Sequence, residues 1–365
     1  MDKQELRQKF RSRLQWLLPE LPLRDIGYGT PLSRGRKGIR ADMTAKARPG
    51  DLTKTLVFFF EARAFPAELE RSAALLKSLT DADAKYVPVL VAPFLSEGSQ
   101  YLLRSSGINY IDLSGNVFLA FDYVLIHKKA PANLHAAKKE GIDIFADKAS
   151  LILRELIAEP GEHRTVRSLA EATGASVGWT SEILREIEGR GYLDRKPGQG
   201  LRLKRIRHLL GEWTDRYAFP GRNKIKNYFI KSESLPETLE AMRGLEVPSW
   251  VEYALTLHAG AFLVSPFARF NECHLYVSGQ GDFEKQAGFF AAQLDLTELD
   301  KGGNLHIIKP YYRKSALYGA RMVDGLRVVS DLQLYLDLYR FPSRGREQAE
   351  KVLEGSGLPG GWGWE

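Results

Sequence analysis

The 365-residue chain contains a single cysteine, Cys273. One cysteine excludes an intrachain disulfide and any cysteine-based zinc cluster, and it fits a reducing cytoplasm. A lone thiol of this kind reads as buried packing rather than as a nucleophile. No apolar run approaches the roughly 18–20 residues that a bilayer span needs. The N-terminal "MDKQELRQKFRSRLQWLLPELP" is a charged amphipathic helix with neither the apolar core nor the cleavage site of a secretory signal. Seven histidines are scattered without an H-x-x-x-H spacing, and no internal repeat is visible. No cofactor motif and no membrane partner are therefore expected. What is present is ordinary globular material, 44% hydrophobic and 27% charged, long enough for two or three domains.

Charge is plentiful but unevenly placed. The net charge is +7, and the stretch from Lys148 to Lys231 holds 17 Lys/Arg against 10 Asp/Glu. Elsewhere 35 basic residues face 35 acidic ones, so the whole surplus lies in one segment. A localised excess is the electrostatic footprint of a polyanion-binding surface.

Three segments follow along the chain. Residues 1–140 read as mixed α/β. "KGIRADMTAKA" (37–47) alternates like a strand, and "KTLVFFFEAR" (54–63) is a continuous apolar strand suited to burial on both faces. A helix over 67–79, a strand over 86–94, a helix over 97–107 and a strand–turn–strand over 108–122 complete it, and a polar connector (128–141) leads out. Residues 145–215 read as helices over 148–159, 165–174 and 176–191, then a hairpin over 192–204 tipped by Pro197-Gly198-Gln199-Gly200. That is the element order of a winged helix-turn-helix. Residues 220–358 read as a second α/β unit: an apolar helix (251–264), a helix over 282–294, the strand "NLHIIKPYY", a hairpin at Asp324-Gly325 and two closing helices. The terminal "GSGLPGGWGWE" reads as frayed.

Within the middle segment the chemistry of a DNA reader is legible. Ala170 sits where two helices approach most closely, Gly174 takes the turn, and Leu169, Val177, Ile183 and Leu184 supply a shared core. Thr180 stands where an aliphatic residue is expected. The exposed face of the third helix then carries Ser176, Trp179, Thr180, Ser181 and Arg185, in reach of base edges or phosphates, and Arg195, Lys196 and Arg202 lie in the wing. Two alternatives stay open: a winged helix used only for protein contacts, and a Trp179 that packs under the wing.

"KTLVFFFEAR" raises a separate question. Asp42 on the preceding strand, followed by Glu61-Ala62-Arg63, has the layout of a PD-(D/E)xK nuclease with Arg in place of Lys. In such enzymes the carboxylates hold Mg2+ and the lysine supports the developing charge. Arg keeps the charge but exchanges no proton. The sequence thus favours a structural Glu61–Arg63 pair over an active metal site. Asp112 with Ser114-Gly115-Asn116 is read as turn chemistry rather than as a cleft.

The block "PVLVAPFLSEGSQYLLRSSGINYIDLSGN", the helix-turn-helix order and the tail "VVSDLQLYLDLYRFPSRGREQAEKVL" together resemble the AbiEi-like antitoxins of type IV abortive-infection systems, regulators of phage-defence operons. The resemblance spans most of the chain as blocks and domain order, without a catalytic signature. Antitoxins of this kind typically begin with the winged helix, whereas here residues 1–140, with a restriction-endonuclease-like fold, come first. The resemblance implies a C-terminal α/β domain like the family's nucleotidyltransferase-like antitoxin domain, and a nucleotidyltransferase toxin as partner. The chain itself lacks that transferase chemistry, since Ser278-Gly279 precede only a single acid, Asp282. Asp331, Gln333, Asp337 and Arg344 read as helix-capping and interdomain contacts.

The expectation is a cytoplasmic, sequence-specific, double-stranded DNA-binding regulator, a repressor that binds an inverted-repeat operator as a homodimer. The alternative is a divalent-metal-dependent DNA nuclease using Asp42 and Glu61 with Arg63. A third reading is an antitoxin that acts by contact with its toxin.

Overall fold

The computed structural model describes residues 1–21, 23–29, 40–48, 53–82, 84–130, 142–158, 164–196, 200–217, 219–232, 234–268 and 271–356. The expectations for 37–39, 131–141, 159, 197–199 and the terminal 357–365 lie outside these residues.

The first unit opens with α1 (Lys3–Leu17), whose N-terminus is capped by Asp2; the Asp2 carboxylate accepts from the Glu5 N–H at 2.8 Å. Strands β1 (Leu23–Tyr28), β2 (Met43–Ala47) and β3 (Lys54–Phe60) follow, then α2 (Pro66–Ala82), β4 (Tyr86–Ala92), α3 (Glu97–Ser105), β5 (Asn109–Asp112), β6 (Val117–Phe121) and β7 (Val124–Lys128). The seven strands lie in sequence order in one sheet, parallel between β3 and β4 and between β4 and β5, and antiparallel elsewhere. β3 lacks polar alternation because both its faces are covered. Leu56, Phe58 and Phe60 meet Leu6 and Phe10 of α1, with Phe10 5.2 Å from the Phe58 ring. Val57 and Phe59 meet Leu69, Ala73 and Leu76 of α2 on the other side.

The middle segment folds as α4 (Asp147–Ala158), α5 (Val166–Thr173), α6 (Val177–Gly189), β8 (Leu193–Lys196) and β9 (Gly200–Leu203), the last two forming a two-stranded hairpin. Sequence punctuation explains the joints. Thr165 and Ser168 form a reciprocal capping box at the start of α5, Gly174 ends it at φ +64°, and Ser176 caps α6. The helices α7 (Ile206–Arg216) and α8 (Phe219–Arg222) lead on.

The last unit contains β10 (Lys224–Phe229), α9 (Leu235–Arg243), β11 (Val251–Thr256), α10 (Leu257–Val264), β12 (Cys273–Gly279), α11 (Phe283–Gln293), β13 (Thr297–Leu299), β14 (Leu305–Lys309), β15 (Arg321–Val323), β16 (Leu326–Val328), α12 (Asp331–Leu338) and α13 (Gly345–Gly355). Its sheet runs β13-β10-β14-β12-β11-β16-β15, with β12–β14 and β11–β16 parallel. The expected helix over 251–264 is corrected. Its first six residues are β11 and only Leu257–Val264 is helical, because Val251 to Thr256 pair with β12 along their whole length. Asp324 and Gly325 both have positive φ, the signature of a tight hairpin turn.

A single apolar cluster runs from Ile144 to Leu353. It joins Ile152 of α4, Ile183 of α6 and Trp213 of α7 to Leu255 of β11 and Leu334 of α12. The helical segment and the C-terminal sheet therefore share one core. Polar ties reinforce it: Asp147 accepts from the backbone N–H groups of Lys314 and Ser315 at 3.0 and 2.9 Å, and buried Arg154 donates to Gln333 at 2.6 Å.

Candidate functional site

The outer surface of α6 is built by the same residues that set its inner one. Thr180, Ile183, Leu184 and Ile187 are buried at helical spacing. Thr180 therefore points into the core, and it is removed from the expected contact set. Its Oγ1 has no hydrogen-bond partner among the described residues, the consequence of a hydroxyl in an aliphatic position. Val177 is corrected in the opposite sense: expected in the core, it is 53% exposed at the first turn of α6. Trp179 is half-buried, with its ring packed against the core. Ser176 stays exposed while its Oγ accepts from the Trp179 N–H at 3.3 Å. Ser181 is half-buried, and Glu182 and Arg185 are exposed. Glu182, an acid, carries no polyanion-binding signal and Val177 reads as core, so neither stands out on this face from the sequence.

The cations of the basic segment divide into two groups. Most are engaged. Arg190 is buried and bonds Glu186 and Glu212 while lying over the Phe65 ring. Arg205 forms a two-pronged pair with Glu70 of α2, and Arg207 meets Glu350 of α13. Arg216 meets Glu212, and Lys224 and Lys226 meet Glu284. In the hairpin, Arg195 is bound to Glu188 at 2.7 Å and Lys204 to Asp194 at 2.6 Å. By contrast, Arg185 on α6 and Arg202 on β9 are exposed and have no partner among the described residues. Lys196 ends β8, and its side chain lies outside the described residues. The footprint read from composition is thus smaller on the surface than in the sequence, because most of the segment's cations are engaged with acids or buried partners.

The nuclease-like carboxylates flank the same end of the paired strands β2 and β3 but are already engaged. Asp42 accepts from the Phe60 N–H at 3.0 Å and pairs with Lys3 of α1 at 2.9 Å. Glu61, one residue past β3, accepts from the Ser72 hydroxyl of α2, and Arg63 is exposed. A cation between these carboxylates would have to displace Lys3. Asp112 is a turn organiser. Its buried carboxylate accepts from the N–H groups of Ser114, Gly115, Asn116 and Leu95 at 2.9–3.0 Å and from the Asn116 amide at 2.7 Å.

In the C-terminal unit the other acids are likewise structural. Asp282 caps α11. Asp331 pairs with Arg321, and Arg344 with Glu347 across the start of α13. Buried Asp337 accepts from Tyr276 at 2.9 Å, Gln333 at 2.8 Å, Tyr217 and Thr256, and burial raises its pKa to about 6. Cys273 is buried with its sulfur 3.8 Å from that of Met242, and burial pushes its thiol up to about 12.

A cleft of about 250 Å³ lies where the three segments meet, between α3, α7 and the α12–α13 end. Glu97 at its rim is held by Arg346, Lys129 and Tyr339, and these partners outweigh burial to bring its carboxyl down to about 2. Asp215 in the same cleft pairs with Arg340 through one oxygen, while the other has no partner among the described residues.

Residues 202–356 match the model of a family described as "Transcriptional regulator, AbiEi antitoxin, Type IV TA system". The match covers the C-terminal sheet and its helices and stops short of α4–α6. No curated protein matches the chain. A solved structure, that of EndoMS in apo form, is similar over 31% of this chain at 18% identity with a TM-score of 0.22, and the chain spans less than half (46%) of that structure's length.

Proposed function

We propose, with an antitoxin-family domain over residues 202–356 as the premise, that the protein is a double-stranded DNA-binding transcriptional regulator. In this reading residues 145–215 act as a winged helix-turn-helix. The first turns of α6 enter the major groove, with Ser181 and Arg185 toward base edges or phosphates and Ser176 near the backbone. Val177 offers an apolar contact to a thymine methyl group. Arg202, with Arg195 and Lys196 of the hairpin, meets the flanking phosphates. The observation that carries this reading is that Arg185 and Arg202 are exposed and have no partner among the described residues, in a segment whose other cations are mostly engaged. Repression, a homodimer on an inverted repeat and a nucleotidyltransferase toxin as partner belong to the same proposal.

The test begins with fragments of genomic DNA selected by the purified chain, used as gel-shift probes at two salt concentrations. Arg185→Ala is expected to weaken binding by about 1–3 kcal/mol and to relax preference at one position if it reads a base. Arg202→Ala is expected to weaken all fragments alike and to lower the salt slope by about one. Unchanged binding in both variants, with the fold intact, overturns the placement of the interface.

A further inference from the structure

His274 and His306 are far apart in sequence, but parallel pairing of β12 with β14 sets them directly opposite each other. Their rings stack with centroids 4.5 Å apart and planes 24° from parallel, and both residues are buried. Buried imidazoles ordinarily satisfy both ring nitrogens. Here they do not. The Asn227 amide on β10 donates to the Asp300 carbonyl at 3.3 Å, which orients its Oδ1 toward His306 Nδ1, 3.0 Å away. That contact makes Nδ1 the protonated nitrogen and leaves Nε2 with its lone pair and no partner among the described residues. Nδ1 of His274 is also without a partner among the described residues.

Ahead of them in the chain, exposed Glu272 brings a carboxylate to the same place, 3.9 Å from His274 Nε2. One ligand atom from each of the three residues falls within 4.8 Å of the other two. An imidazole whose second nitrogen is held by a hydrogen bond, as that of His306 is by Asn227, is oriented to bind metal.

We infer that Glu272, His274 and His306 form a binding site for a late first-row divalent cation, Zn2+ being the best match to two imidazoles and one carboxylate. Bonds of roughly 2.0–2.2 Å to nitrogen and oxygen would bridge a gap of the size seen between His274 and Glu272. Binding turns the two rings out of their stack so that their lone pairs converge, and water takes the remaining position. Asn227 is a positioning residue that holds His306 in the ligating tautomer.

The full-length chain, stripped with chelator, is titrated with Co2+ and then Zn2+. One equivalent of Co2+ is expected to give the visible absorption of a four-coordinate site, and Zn2+ to displace it. The unfolding midpoint should rise with Zn2+ concentration, since a ligand that binds only the folded state stabilises it. Glu272→Gln, at a surface position, is expected to weaken Zn2+ by about tenfold or more, and His306→Gln to abolish the Co2+ band. Asn227→Ala should cost about 10–100-fold in affinity, the range for an outer-shell partner of a ligating histidine. Absence of saturable binding in the wild type overturns the inference, as does undiminished affinity in Glu272→Gln; the histidines are then a packed stack and nothing more. Should His306→Gln fail to fold, the Glu272→Gln titration decides alone.

Discussion

Thr180 and Val177 sit three positions apart on α6, and each occupies the place the other's chemistry suits. Thr180 carries a buried hydroxyl with no partner, whereas Val177 is exposed. Replacing Thr180 by Val keeps the shape and removes the unsatisfied oxygen. Thr180→Val is expected to leave stability unchanged or raise it by about 1 kcal/mol, measured by denaturant unfolding. DNA affinity should not change, and a large loss of binding in a stable variant would return Thr180 to the interface. Leu169, Ala170, Gly174, Ser176 and Ile183 were legible from spacing and turn chemistry, because their roles are local. The state of Arg195 was not, since a cation in a hairpin looks free until Glu188 of the neighbouring helix comes within 2.7 Å. Arg185→Ala should accordingly cost more DNA affinity than Arg195→Ala, whose charge is already shared.

At the scale of elements, the joint between α6 and the hairpin is where the first sheet unit docks. Gly191 follows α6 at φ +83°, and a Cβ there would lie 2.8 Å from that of Ala67 on α2. Beside it, Arg205 binds both Glu70 of α2 and the Gly191 carbonyl. Gly191→Ala combines left-handed strain with a clash and is expected to destabilise the chain by about 1–3 kcal/mol. A normal unfolding midpoint in that variant would mean that α2 does not rest on this joint. Nothing in the local sequence reveals the need for glycine, because the atom that forbids a side chain comes from more than a hundred residues upstream. The limits of periodicity show elsewhere too. The apolar stretch 251–264 reads as one helix, although β11 claims its first half through pairing with β12. The short edge strand β1, with most of its residues exposed, carried no apolar signal to read. By contrast, β3 and the hairpin at Asp324-Gly325 were legible, one from its unbroken apolar run and the other from its turn residues.

At the scale of the whole molecule, the cleft between α3, α7 and α13 holds two acids with opposite responses to pH. Glu97 has its carboxyl lowered from 4.5 to about 2 with Arg346 and Lys129 as partners. Its contribution to stability is complete above its ordinary pKa and is lost as pH falls toward the folded value. Asp215 has its carboxyl raised from 3.8 to about 6 by burial. Its contribution is complete below 3.8 and is lost as pH rises through the folded value. Unfolding midpoints measured across this range should decline on both sides of a maximum near pH 4–5 if the cleft dominates the profile. Asp215→Asn should flatten the limb above the maximum, and Glu97→Gln the limb below it. Parallel profiles for wild type and both variants would show that the cleft does not set the pH response. None of this was legible beforehand, since Glu97, Lys129, Asp215 and Arg346 are ordinary surface charges until three segments converge on them.

The core shared between the helical segment and the C-terminal sheet also constrains how the protein is made. Asp147 and Arg154 of α4 are anchored by the backbone of Lys314 and Ser315 and by Gln333, which leave the ribosome more than 160 residues after their partners. The helices proposed to read DNA therefore emerge long before the surface they rest on. A nascent chain carrying them lacks its final packing until translation is nearly over, so a chain cut short by a premature stop would lose its proposed reader along with its tail.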